Sequence, residues 1–210
     1  MLIEARYGVL ETTWVNPNQP QGVYPEIFHL SHAQDLRWAG LVLLPAGAGL
    51  LSDEDIRNDI YVVRGSLVEE GVTGDYSAET FLTRVNPRIQ GGSEGATLFV
   101  YQDHYAEADD QITKTKKHIE WQQGGVRGMR IAPLIDDYYR LMLVSWSPNT
   151  NVPYHDHPRG EEIFVLKGEL QDQRGRYPAG TWQRLHPGTG HSPHVTADTL
   201  ILLRNGHLRK

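Results

Sequence analysis

The chain has 210 residues, a formal net charge of -6 at pH 7, 39% hydrophobic residues and 22% charged residues. This composition is typical of a folded globular protein with enough chain for one large domain or two small ones. The acidic balance argues against a broad phosphate-binding surface, so we do not expect nucleic acid as a partner. The chain has no cysteine, which excludes disulfides, thiolate metal sites and cysteine nucleophiles.

The sequence shows neither a targeting signal nor a membrane span. Residues 1–10, MLIEARYGVL, lack the basic segment and apolar run of a signal peptide. The most apolar stretch, LVLLPAGAGLL at 41–51, is too short and too interrupted to cross a bilayer. We therefore expect a cytoplasmic protein without a membrane partner.

Two parts of the chain repeat each other. Residues 44–67 align without a gap on residues 147–170, at an offset of 103. A second pair, YSAETF at 76–81 and YPAGTW at 177–182, aligns at an offset of 101. Self-similarity at a fixed spacing indicates repeated structural units, and this period is a normal domain size.

The repeat predicts a division into two domains. We place the first at residues 1–107 and the second at residues 119–210. The polar segment between them, with an acidic patch followed by lysines, predicts a linker at residues 108–118.

Short apolar segments in the second unit predict strands. RLMLVSW (140–146), EIFVLKG (162–168) and TLILLR (199–204) are rich in branched and aromatic residues and are bounded by turn-forming residues. Long segments with helical periodicity are absent. Both units are therefore predicted to be all-β, each a sandwich or a barrel.

Two histidines and a glutamate form the first candidate site. On a strand, His155 and His157 share a face, whereas on a helix they would point apart. Pro158 and Gly160 then supply turn chemistry, so Glu161 should return on the neighbouring strand, opposite the histidines. Such a buried group of imidazoles and carboxylate needs a partner, and a divalent cation satisfies all three.

A fourth ligand is expected from the segment RLHPGTGHSPHV, residues 184–195. It offers His186, His191 and His194. Of these, His191 follows a Pro-Gly-Thr-Gly turn and is expected to start a strand.

The spacing of these residues resembles a known family. H155-x-H157-xxx-E161-xxxxxx-G168, followed by P187-xxx-H191, is similar to the two motifs of the cupin superfamily, and most similar to the ChrR-type cupins. The resemblance implies two tandem cupin (jelly-roll) β-barrels. It also implies the metal ligands His155, His157, Glu161 and His191. Glu161 is preferred to Glu162 because six residues separate it from Gly168.

The first unit lacks these side chains. At the equivalent positions it has Ser52, Glu54, Asn58 and Gln90. We expect a degenerate cupin that keeps the fold without metal ligands. It would serve as a packing partner that mimics a cupin dimer within one chain, or keep an organic-ligand pocket.

Three imidazoles and one carboxylate suit Zn²⁺, which we favour, and leave Fe²⁺, Mn²⁺ and Ni²⁺ open. Four protein ligands close a tetrahedral zinc shell, which is typical of a structural or sensory site. A six-coordinate iron keeps two positions for catalysis. The identity of the metal therefore separates two classes of function.

The resemblance favours a regulatory or sensor cupin that responds to oxidative stress or to a small molecule. ChrR-type relatives form the sensor part of zinc-dependent anti-sigma factors, in transcription regulation. The cysteine-containing N-terminal zinc domain that contacts the sigma factor has no counterpart here, which argues against sigma-factor binding. The alternative is a non-haem Fe(II) dioxygenase that cleaves a diketone or a hydroxylated aromatic ketone. Either class would take a small-molecule ligand in the second barrel, and a homodimer stays open because cupins often pair.

Overall fold

A computed structural model describes residues 25–31, 37–51, 56–103 and 111–208. The chain divides into two compact units, Met1–His118 and Ile119–Lys210. In the described residues the regular structure is β, apart from one short 3-10 helix, so the all-β prediction is confirmed. Among these residues no helix is long and apolar enough to cross a membrane.

Eight strands of the first unit form one antiparallel sheet. Its main path runs in the order β1-β2-β7-β4-β6-β8, with β3 paired to β7 and β5 paired to β4. The strands are β1 (Glu26–His29), β2 (Arg37–Leu44), β3 (Gly49–Leu51), β4 (Arg57–Glu69), β5 (Asp75–Ser77), β6 (Phe81–Val85), β7 (Arg88–Asp103) and β8 (Ile112–Lys114), and a 3-10 helix follows at Lys116–His118.

The second unit has a six-stranded sheet in the order β16-β13-β18-β11-β10-β9 and two two-stranded sheets, β12-β17 and β14-β15. Its strands are β9 (Gln122–Gln123), β10 (Met129–Asp136), β11 (Arg140–Trp146), β12 (His155–His157), β13 (Glu161–Lys167), β14 (Glu169–Asp172), β15 (Gly175–Pro178), β16 (Trp182–Leu185), β17 (Thr189–His191) and β18 (Thr199–Asn205). The three strands predicted from the apolar segments are therefore present as β11, β13 and β18.

The two units repeat one strand order and, between their two central strands, one register. The path β6-β4-β7-β2-β1 of the first unit corresponds to β16-β13-β18-β11-β10 of the second. Asn58 pairs with Gln102 in the first unit, and Glu161 pairs with Asn205 in the second. These pairs are related by the sequence offset of 103, so the repeat seen in the sequence is a repeat of strand pairing.

Both units have a glycine at the equivalent position after a β-bulge in a central strand, Gly65 after the bulge in β4 and Gly168 after the bulge in β13. Gly65 and Gly168 have φ angles of 74° and 77°, in the left-handed region that favours glycine. A Cβ atom at Gly65 would meet the carbonyl of Gly95, and one at Gly168 would meet the carbonyl of Asp198. The motif glycine thus permits a close approach of two backbones, within β4 at Gly65 and directly after β13 at Gly168.

Part of the segment predicted as a linker is a strand of the first unit. Residues 112–114 form β8, which pairs with β6. Arg84 on β6 donates hydrogen bonds to the carbonyl of Ile112 and to Oγ1 of Thr113, both at 2.9 Å. Residues 108–110 lie outside the described residues, and the chain divides after His118.

Each unit has its own apolar core. In the first unit, the buried cluster is formed by Trp38, Val42, Leu44, Ala48, Ile60, Val62, Leu67, Leu82, Ile89, Ala96, Leu98 and Val100. In the second unit, it is formed by Val144, Trp146, Ile163, Val165, Leu170, Leu185, Val195 and Ile201. Burial of these side chains is the main stabilising contribution to each unit.

Candidate metal centre

Two short paired strands bring the histidines together. β12 pairs with β17, and His155 lies opposite His191. Because side chains alternate along a strand, His157 lies on the same side as His155. The predicted shared face is therefore present, but two details of the prediction are wrong. The strand beside β12 is β17 and not β13, and His191 ends β17 instead of starting a strand.

The turn after β12 explains the first difference. The N–H of Gly160 donates to the carbonyl of His157 at 3.1 Å, and Gly160 has a φ of 72°. This tight turn carries the chain into another sheet, where Glu161 pairs with Leu185 on β16 and with Asn205 on β18. Glu161 therefore approaches the histidines from across the barrel.

The three imidazole rings form a compact group. The ring centroids of His155 and His157 are 4.9 Å apart, and each lies 5.1 Å from the centroid of His191. One nitrogen atom from each ring lies within 4.8 Å of the other two. His157 and His191 are buried, and His155 is half-buried. Among the described residues, this is the one group of three or more such side chains close enough to share a metal ion.

Glu161 lies against two of these histidines, and Glu162 does not. Oε2 of Glu161 lies 3.3 Å from Nδ1 of His157, and Oε1 lies 3.5 Å from Nε2 of His191. The side-chain amide of Asn205 donates to Oε2 of Glu161 at 3.2 Å. Glu162 points to the other face of β13, where Nε of Arg184 donates to its carboxylate at 2.6 Å.

In both His155 and His191, Nδ1 lies against an oxygen atom, which leaves Nε2 on the opposite side of the ring. Nδ1 of His155 lies 3.0 Å from the carbonyl of Pro153. A carbonyl only accepts hydrogen bonds, so Nδ1 carries the proton and Nε2 keeps a lone pair in the neutral ring. For His191, Nδ1 lies 3.4 Å from Oδ2 of Asp172, so the opposite nitrogen, Nε2, faces Glu161.

Asp172 is held by three donors behind His191. Its Oδ1 accepts hydrogen bonds from the backbone N–H groups of Arg174 (2.7 Å) and Gly175 (3.2 Å) and from the hydroxyl of Tyr177 (2.9 Å). Burial alone would raise the pKa of Asp172, but these hydrogen bonds and the nearby His191 hold it below its usual value. The carboxylate is therefore ionised and fixed beside the imidazole, as in the carboxylate–histidine pairs behind many metal ligands.

The donor set fits a divalent cation. Burial lowers the pKa of His157, and Glu161 only partly opposes this effect, so the imidazole is neutral at pH 7 and able to act as a ligand. Its Nε2 is buried and has no hydrogen-bond partner among the described residues. An unpartnered buried nitrogen is costly, and a metal ion held by His155, His157, Glu161 and His191 would supply the partner.

An apolar cavity of about 290 Å³ adjoins the histidines in the interior of the second unit. Its polar walls are few and include His155, Glu161 and His191. The apolar walls are contributed by inward-facing residues of several strands and loops, namely Met129, Ile131, Met142, Val144, Trp146, Val152, Ile163, Leu170, Pro193, Ile201 and Leu203. The candidate metal centre thus faces a space suited to an organic molecule.

At two of the four equivalent positions, Asn58 and Gln90, the first unit has amides where the second has candidate ligands. Nδ2 of Asn58 donates to the carbonyl of Ile56, and Oδ1 accepts from Nε2 of Gln102, both at 2.9 Å. Gln90 lies half-buried on β7, and Ser52 and Glu54 lie outside the described residues. At Asn58 the buried polar atoms therefore satisfy each other without an ion.

The other two histidines of the segment 184–195 lie apart from the cluster. His186 is exposed, and His194 is half-buried with its backbone paired to Gln171. Neither belongs to the group of histidines that could share a metal ion.

Comparisons with known proteins agree with this architecture. Residues 109–209 match the family described as a ChrR Cupin-like domain. This part of the chain is a cupin-like domain. No curated protein sequence matches the chain.

Solved structures extend the likeness to both units. A putative dioxygenase from Nostoc punctiforme PCC 73102 is 16% identical, with a TM-score of 0.72, and the alignment covers 92% of this chain and 77% of that chain. A cupin 2 conserved barrel domain protein from Leptotrichia buccalis is also 16% identical, with a TM-score of 0.61 and coverage of 89% and 90%. A mutant of Bacillus subtilis oxalate decarboxylase is 13% identical, with a TM-score of 0.62 and coverage of 82% and 69%. At these identities the likeness shows the fold alone, and the fold is that of cupin β-barrels.

Two residues beside the cupin-like site were missed by the sequence analysis. Asp172 begins the turn DQRG, and its side-chain oxygen accepts from the backbone two and three residues on, which is common for aspartate in turns. Asn205 follows Ile201 and Leu203 at a spacing of two, all three lining the cavity. A polar residue at an inward position of an apolar strand was the signal that pointed to Asn205.

Proposed function

We propose that this chain is a metal-binding bicupin of the regulatory or sensor type. In this proposal the second unit holds one divalent ion through His155, His157, Glu161 and His191, and the first unit is a degenerate copy without ligands. The observation that carries the proposal is the convergence of three imidazoles and one carboxylate, including the buried unpartnered Nε2 of His157.

Zinc is the ion that we favour. Its usual structural shell has four nitrogen, sulfur or oxygen ligands, and this site offers four. When bound, such an ion supplies a fixed positive charge at the end of the cavity. The residues of the chain orient the imidazoles and exclude most water from them.

A response to a small molecule fits the cavity better than a thiol-based response to oxidants. The chain has no cysteine, so oxidation would have to act through the metal centre itself. The cavity beside the histidines offers a direct route, because an organic ligand in it would touch His155, Glu161 and His191.

The same cavity favours the alternative function, a non-haem Fe(II) dioxygenase. An iron centre uses positions left by the protein for oxygen and substrate, and an apolar pocket next to the ligands would hold a diketone or a hydroxylated aromatic ketone. Oxygen uptake by iron-loaded protein with a panel of such compounds tests this alternative. Absence of turnover across the panel would count against it.

Metal analysis is the first test of both functions. Mass spectrometry should find about one ion per chain in protein purified without added metal, and His157→Ala should lose it. The exposed His186 provides the control, since His186→Ala should keep the ion. Zinc favours the sensor, whereas iron or manganese favours the dioxygenase. Protein without metal, in both wild type and control, would contradict the proposal.

A further inference from the structure

The polar and apolar walls of the cavity are separated along the strands. Asn205 on β18 pairs with Glu161 on one side and with Arg140 on the other, so these three residues form one row across the sheet. All three line the cavity, and the histidines adjoin this row. One end of the cavity therefore carries its charged and hydrogen-bonding groups.

The opposite end of the cavity is apolar. Trp146 pairs with Thr199, six residues along β18 from Asn205, which places the two rows roughly 20 Å apart along the strand, at about 3.4 Å per residue. Between them, Met142 and Val144 on β11 face the cavity. The lining is thus polar at one end of these strands, the polar head of the cavity, and apolar toward the other end.

The charge at the head favours an anion with a single charge. With a divalent ion bound, Glu161 neutralises one of its two charges. Arg140 lies at the exposed end of β11, and its Nε donates to Asp136 at 3.2 Å. That contact uses one of the five N–H donors of the guanidinium, and the other donors can bind a carboxylate in the fork geometry typical of arginine.

The volume limits the ligand to a small molecule. The cavity has a volume of about 290 Å³. This is close to the lower end of ligand pockets in proteins, about 300 Å³.

We propose that the second unit binds an elongated, mostly apolar monocarboxylate, with its carboxylate at the row of Arg140, Asn205 and Glu161 and its tail directed toward Trp146. The proposal rests on the proposed metal centre for the charge at the head. The apolar tail contacts rest on the cavity alone. The ligand class is therefore that of medium-chain alkanoic or aryl-alkanoic acids.

A chain-length series tests the tail. Straight-chain carboxylates from butanoate to decanoate are titrated into the metal-loaded full chain, with binding followed by calorimetry. Each added methylene should tighten binding about fourfold, the effect of burying one CH₂ group, until the cavity is full. Val144→Phe should move this limit to a shorter chain. Circular dichroism and metal content verify that this variant is folded and loaded.

The carboxylate position is tested by comparing an acid with its amide, and a substitution of Arg140 with the same substitution of Arg127. The primary amide of the best carboxylate should bind about tenfold more weakly or worse, because it lacks the charge that strengthens hydrogen bonds to Arg140. Arg140→Gln should reduce this preference for the acid. Arg127 is exposed, lies in the turn before β10 and does not line the cavity, so Arg127→Gln should leave the preference unchanged.

The results of these titrations distinguish a failure of the carboxylate proposal from a failure of the proposed metal centre. Metal-loaded protein that binds all chain lengths equally, or binds the amide as well as the acid, would overturn the ligand class and leave the metal centre standing. If no ion is found, the proposed function fails, and the same series is run on the metal-free chain. A fourfold gain in affinity per methylene in the metal-free chain would support the tail contacts. An affinity that does not change with chain length would overturn them.

Discussion

Two adjacent glutamates of β13 should have opposite roles, which single substitutions can separate. Glu161 faces the histidines, whereas Glu162 faces Arg184 and His207 on the other side of the strand. We expect Glu161→Gln to weaken metal binding with little effect on the stability of the metal-free protein. We expect Glu162→Gln to keep the metal and to destabilise the fold.

The expected loss of stability on Glu162→Gln follows from the groups around this carboxylate. Burial alone would raise the pKa of this carboxyl, but His207, Arg184 and Arg204 lower it from 4.5 to about 2. Burial lowers the pKa of His207 itself, so at pH 7 we attribute the stabilised charge mainly to the 2.6 Å contact with Arg184. Removing one partner of such a buried ion pair costs about 3–5 kcal/mol, and we expect the loss on Glu162→Gln to lie near the lower end of this range.

The pH dependence has a definite sign. Because the pKa of Glu162 is lower in the folded state, its contribution is fully present above about pH 4.5 and is lost as the pH falls toward 2. Urea unfolding at pH 7 should therefore show Glu162→Gln about 3 kcal/mol less stable than wild type. The difference should shrink below pH 4.5.

Metal content and urea unfolding of both variants provide the assay. If Glu161 is a ligand, as proposed, Glu161→Gln should reduce metal affinity by more than the 10- to 100-fold typical of an outer-shell partner. The reasoning would be refuted if Glu162→Gln lost the ion and Glu161→Gln kept it, or if Glu162→Gln were as stable as wild type at pH 7.

Three further substitutions or treatments give measurable outcomes. Gly168→Ala should destabilise the second unit by more than the 1–2 kcal/mol of left-handed strain, because its Cβ would meet the carbonyl of Asp198. Gly180 has a φ of 88° with open space around it, so Gly180→Ala should cost only the strain. Thermal unfolding of both variants checks this difference. Asp172→Asn should lower metal affinity about 10- to 100-fold by weakening the orientation of His191, as measured by competition with a chelating dye, and unchanged affinity would contradict that role. Removal of the ion with a chelator should lower the stability of wild type by about 3 kcal/mol if free metal had been present at 100 times its dissociation constant, and the chelator should have no effect on His157→Ala.

The strand pattern was predictable because it depends on local sequence. The apolar runs that became β11, β13 and β18 are short, branched and bounded by turn residues, and the offset between the repeats coincides with the offset between equivalent strand pairs. The shared face of His155 and His157 follows from the two-residue period of any strand. These features need no knowledge of distant contacts.

The partners of each strand were not predictable from the same signals. That β12 pairs with β17 depends on a contact between His155 and His191, 36 positions along the chain. The turn at Gly160 shows only that the chain changes direction, and not which sheet it joins. The position of Asp172 behind His191 likewise depends on how the β14-β15 pair packs against β17, which no local pattern encodes.

The same pair of positions on the two central strands carries different side chains in the two units. In the first unit, Asn58 and Gln102 satisfy each other with a hydrogen bond of 2.9 Å. In the second unit, Glu161 and Asn205 occupy the equivalent pair, and the amide of Asn205 donates to the carboxylate at 3.2 Å. Two amides satisfy each other in a buried place, whereas a buried carboxylate needs a partner of opposite charge. The carboxylate at this position therefore accompanies the candidate metal centre of the second unit, and the described residues of the first unit hold no equivalent cluster.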